Sequence, residues 1–68
     1  MNISIRGYIK DNFKNTNEKE LKESIESSLK EGAEESLPGL GVFFEVLWQN
    51  STNEQQDSII NNLKNGFN

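Results

Sequence analysis

Glu45 lies inside an otherwise apolar run, Leu40-Gly41-Val42-Phe43-Phe44-Glu45-Val46-Leu47-Trp48, and a carboxyl group held among apolar side chains can have its pKa raised into a range useful for proton transfer. Acid-base work of that kind needs a second titratable group within reach, and the 68-residue chain has no histidine and no cysteine. Imidazole bases, thiolate nucleophiles, disulfides and the usual zinc ligands are therefore absent. No catalytic, cofactor-binding or metal-binding set is expected. Gly41 and Gln49 share a stripe with Glu45 at spacings of four, so the simpler reading is that Glu45 faces solvent or pairs with a lysine.

Three other groups of residues have types suited to binding. Pro38-Gly39-Leu40-Gly41, ahead of a helix, could offer backbone N–H groups to a phosphate, but it lacks the Lys-Ser/Thr of a P-loop and the third glycine of a dinucleotide fingerprint. Its structural reading is that the two glycines let the helix start tightly and a neighbour approach closely. Arg6, Lys10 and Lys14 recur every four residues and could lie along a nucleic-acid backbone; three phosphate contacts would give a salt slope of about −3, which is weak binding. The competing reading is a solvated basic face turned toward acidic residues elsewhere. Phe43, Phe44, Leu47 and Trp48 are the residues from which a self-association or partner-binding patch would be built, or else they are core.

Composition favours the quieter reading of the basic row. Seven Lys plus Arg against 11 Asp plus Glu give a net charge of −4, which opposes general affinity for nucleic acid or anionic lipid. Residues 18–35 hold seven Glu and three Lys and so account for that whole charge. The opening Met1-Asn2-Ile3-Ser4-Ile5-Arg6-Gly7 lacks the long apolar stretch of an export signal, and no segment approaches the roughly 18 apolar residues of a membrane span. A soluble, unexported chain with no membrane partner is expected.

The elements that must position these residues read as helices. Leu21, Ile25 and Leu29 form one stripe of a helix over 18–31, with Asn17 as N-cap, Glu20 at the third helical position and Gly32 as the stop. Ser51 or Thr52 opens another over 52–65, where Ser51-x-x-Glu54 has the capping-box pattern and Gly66 offers a stop. Its apolar edge, Ile59, Ile60, Leu63 and Phe67, must be covered by another element. Over 38–49 the aromatic and β-branched residues would suit a strand, but only a 3.6-residue period gathers Gly41, Glu45 and Gln49 into one polar stripe. Leu40, Phe43, Phe44, Leu47 and Trp48 then form a broad apolar surface with Val42 and Val46 on its flank. Residues 3–13 fit either period: Ile3, Ile5 and Ile9 alternate as in a strand, whereas Ile5, Ile9 and Phe13 repeat as in a helix. Helix is preferred because a lone strand would have no pairing partner. The expectation is one all-α domain over residues 1–68, four short helices packed around the apolar helix 38–49. A chain this short encloses that helix with difficulty, which brings in a homodimer sharing it. A helix-turn-helix is disfavoured, since its reading helix would be the most apolar segment.

The stretch Leu37-Pro38-Gly39-Leu40-Gly41-Val42-Phe43-Phe44-Glu45-Val46-Leu47-Trp48-Gln49 resembles the most recognisable segment of the small acid-soluble spore proteins of the I type, from endospore-forming bacteria. Leu37, Pro38, Gly39, Leu40, Gly41, Glu45, Trp48 and Gln49 carry the likeness, and the surrounding layout is similar. The resemblance implies a cytoplasmic protein made in the developing forespore and held in the spore core, with no enzymatic activity assigned to the family. It does not carry over the DNA coating of the abundant α/β-type spore proteins, to which this sequence shows no similarity. The function expected is that of a structural or protein-interaction component of sporulation or dormancy; the alternative is a weak DNA-backbone-binding module using Arg6, Lys10 and Lys14.

Overall fold

A computed structural model describes residues 4–68. Four helices follow in order, α1 (Ile5–Phe13), α2 (Glu18–Glu31), α3 (Leu37–Gln49) and α4 (Asn53–Phe67), with a 3₁₀ turn at Glu34–Ser36 leading into α3. The domain is all-α, and no strand occurs among the described residues. Of the two periods legible in the first segment the helical one holds, from Ile5 onward; the reading of Ile3 lies outside the described residues.

Each helix begins on a side chain or turn that satisfies its free N–H groups. The Ser4 hydroxyl accepts from the Gly7 N–H at 3.0 Å and starts α1. Asn17 accepts from the Glu20 N–H at 2.8 Å, and its amide donates back to the Glu20 carboxylate at 3.4 Å. Gly32 ends α2 with φ 64°, a left-handed conformation that costs glycine little, and its N–H donates to the Ser28 carbonyl. The start of α4 lies one residue later than the Ser51-Glu54 pattern suggests. Thr52 accepts from the Gln55 N–H, and the Gln55 side chain accepts from the Thr52 N–H, while Ser51 turns its hydroxyl onto the Leu47 carbonyl. Gly66 does not stop α4, which runs through it to Phe67.

The Pro38-Gly39-Leu40-Gly41 segment is not a loop before a helix but the first turn of α3 itself, with Pro38 where its missing N–H is harmless. Glu34 and Glu35 stand immediately ahead of that helix end and favour its positive pole. The same carboxylates would repel a phosphate there, so the phosphate reading loses its geometry. Gly39 faces α1: a methyl group added to it would sit 3.5 Å from Ile9 Cδ1, whereas Gly41 faces open space.

The principal packing is α1 against α3. Phe13 meets the Phe43 ring edge-on, centroids 5.0 Å apart and planes at 83°, a favoured aromatic geometry. Val42 is the buried apolar residue among those described, 8% exposed, where the sequence reading put it on a flank of the apolar surface. Phe44 and Leu47, read as either patch or core, are 44% and 50% exposed. The apolar edge of α4 is also left without the cover expected of it, with Ile60, Leu63 and Phe67 all exposed. The radius of gyration, 13.2 Å, exceeds the about 11 Å of a compact chain of this length.

The two glycines Gly32 and Gly41 should respond oppositely to alanine. Gly32→Ala places a Cβ in a left-handed backbone and should lower unfolding free energy by about 1 kcal/mol or more. Gly41→Ala enters free space in a helix interior and should raise it by about 0.5–1 kcal/mol. Urea denaturation followed by far-ultraviolet circular dichroism measures both.

Candidate functional site

The exposed side of α3 holds most of the residues singled out above. Glu45 is anchored from α1, 39 positions earlier: Arg6 Nε donates to one carboxylate oxygen at 2.6 Å and Nη2 to the other at 2.8 Å. This fork-to-fork pair replaces the lysine partner or open solvent expected for Glu45. It is the ion pair found among the described residues, and the Glu45 side chain is 31% exposed. Hydrogen bonding from Arg6 holds the Glu45 carboxyl below the ordinary carboxylate range; partial desolvation opposes this, and the charges of Arg6 and, last, Lys10 reinforce it. The same bond raises the Arg6 pKa further. Glu45 is thus ionised and neutralised at neutral pH, the opposite of a carboxyl poised to donate a proton.

The basic row is divided by this pairing. Arg6 is committed to Glu45, Lys10 stands at the rim of a groove, and Lys14 follows the last residue of α1. Among the described residues no three acidic side chains gather in a geometry that could hold a metal ion. No described helix is long and apolar enough to cross a membrane.

Two apolar grooves flank α3. The larger, of about 590 Å³, lies between α1, α2 and α3, and Phe13, Leu21, Ile25, Phe43, Phe44 and Leu47 are prominent in its walls. The second, of about 550 Å³, opens between α3 and α4 over Phe44, Trp48 and Ile60, with Gly41, Glu45 and Gln49 along its side. Phe44 belongs to both. It stacks on Trp48 one turn later, centroids 5.9 Å apart and planes at 24°. The Trp48 carbonyl accepts from the Gln56 side chain at 3.0 Å, which fixes the start of α4 beside α3. Of the four residues Phe43, Phe44, Leu47 and Trp48, the structure turns Phe43 toward Phe13, half-buries Trp48 and leaves Phe44 and Leu47 open. That Phe44 and Trp48 share one apolar surface was legible from their spacing. The reach of Arg6 to Glu45 and the walls lent by α2 were not, since no local pattern encodes them.

A family model described as small, acid-soluble spore protein I matches residues 3–67. The chain belongs to the small, acid-soluble spore protein I family. Curated proteins of that name are similar along nearly the whole length. The one from Halalkalibacterium halodurans is 38% identical and that from Bacillus cytotoxicus 35%, the alignments covering 98% of this chain and 98% and 96% of theirs. That from Bacillus velezensis is 33% identical, over 98% of this chain and 94% of its own. No solved structure matches. The match takes in all four helices, α3 among them.

Because the folded Glu45 has a depressed pKa, its contribution to stability is present above the unfolded glutamate value, about 4.3, and is lost as pH falls through the lower folded value. Urea midpoints taken at neutral and at acid pH should therefore fall more steeply for the unaltered protein than for Glu45→Gln. A double-mutant cycle with Arg6→Gln should give a coupling that vanishes at the acid end.

Proposed function

We propose that this member of the spore protein I family is a non-enzymatic protein of the spore core, made in the forespore cytoplasm and acting as a structural or protein-interaction component. The observation that carries the reading is the uncovered apolar side of α3, Phe44 and Leu47 at its centre, on a chain with no histidine or cysteine. Contiguous apolar surface rimmed by polar residues is what interaction sites expose. The ion pairing of Glu45 supports the non-enzymatic part, since it holds that carboxylate ionised with no proton to give. An antibody against the protein should detect it in forespores and in extracts of broken dormant spores; accumulation confined to growing cells or to the mother cell would overturn the reading.

The DNA-backbone alternative draws less support, because Arg6 spends its guanidinium on Glu45 and the chain is acidic. Fluorescence anisotropy with a labelled duplex at low and physiological salt should show no salt-sensitive binding. A slope of about −2 to −3 in log affinity against log salt would put Lys10, Lys14 and Arg6 on phosphates and make DNA the partner.

A further inference from the structure

Rest on the interaction reading, and the surface itself narrows the partner. The chain exposes 6047 Å² for a mass of 7.8 kDa. A compact monomer of that mass exposes about 4,400 Å². The excess, roughly 1,700 Å², is about twice the 800 Å² or so that each partner gives to a stable protein–protein interface. Part of it belongs to the free end of α4, yet the patch around Phe44 is continuous: one groove leads from α2 across Leu47 to Phe44, and the other continues from Phe44 over Trp48 to Ile60.

The charge pattern favours a second copy as the occupant. Two chains of net charge −4 repel wherever their acidic surfaces meet. The acidic residues that set this charge lie in 18–35, whereas α3 contains one charged side chain, Glu45, which Arg6 neutralises. Two copies that meet over Phe44, Leu47 and Trp48 therefore bring together the stretch with a single, already paired charge, and leave the acidic α2 at the border of the contact. A twofold axis brings the same patch to itself, so Phe44, shared by both grooves, meets the equivalent region of its partner. We infer that the open face of α3, centred on Phe44 and Leu47 and flanked by Trp48 and Ile60, is the contact between two copies of this chain.

Sedimentation velocity and light scattering of the purified full chain across a wide concentration range test this. The mass should rise from 7.8 kDa toward twice that value with concentration. Phe44→Glu and Leu47→Glu should hold it at the monomer value, while Tyr8→Glu, at an exposed position on α1 outside both grooves, should leave the rise unchanged. Circular dichroism verifies that each variant keeps its helices. As a check independent of folding losses, Phe44→Cys in this cysteine-free chain should form a disulfide-linked dimer under mild oxidation faster than Tyr8→Cys. A mass that stays at 7.8 kDa at every concentration, or a rise that Phe44→Glu and Leu47→Glu leave intact, would overturn the inference. Either result would leave the spore-core reading standing, since that reading is tested by where the protein accumulates.

Discussion

Helix α3 is apolar around most of its circumference, and the other three helices cover only part of it. The rest of the fold is arranged around that partial cover. α1 covers one side, where Phe13 meets Phe43 and Ile9 lies over Gly39. α2 and α4 contribute walls instead of lids, and the side of α3 between them stays open. A short chain buries a small fraction of its surface in any arrangement. Here the uncovered side of α3 and the apolar edge of α4 are both left exposed.

The Arg6 and Glu45 pair has a different task from the apolar contacts. An exposed ion pair adds little to stability by itself, because water solvates both charges well in the unfolded chain. Its forked geometry is directional, however, and fixes how α1 is seated along α3, which nonspecific apolar contact does poorly. It also removes the charge that would otherwise sit on the open face. One interaction thus aligns the principal helix pair and sets the electrostatic character of the surface next to it.

Local signals carried most of the fold into the sequence. Asn17 with Glu20, Gly32, Pro38 and the 3.6-residue stripe of Gly41, Glu45 and Gln49 all act within a turn or two, so their effect on helix boundaries can be read directly. Of the two openings offered for α4, Ser51 and Thr52, the structure uses Thr52 with Gln55, and the stop expected at Gly66 is overrun. Which side of α3 is covered was less legible, because α1 decides it from 30 positions away. The same holds for the partner of Glu45. The helix over 38–49 was legible from its polar stripe, and the structure starts it one residue earlier, at Leu37.

The only tryptophan in the chain, Trp48, occupies an unusual crossroads. Its ring stacks on Phe44 at the edge of the open face, and its carbonyl holds Gln56 at the root of α4. Its emission consequently responds to two separable events: the polarity of whatever lies against α3, and the detachment of α4. Far-ultraviolet ellipticity sees helix content wherever it is. The two optical signals have no reason to coincide along a denaturation curve, and the gap between them is a direct gauge of how loosely the last helix is coupled to the other three.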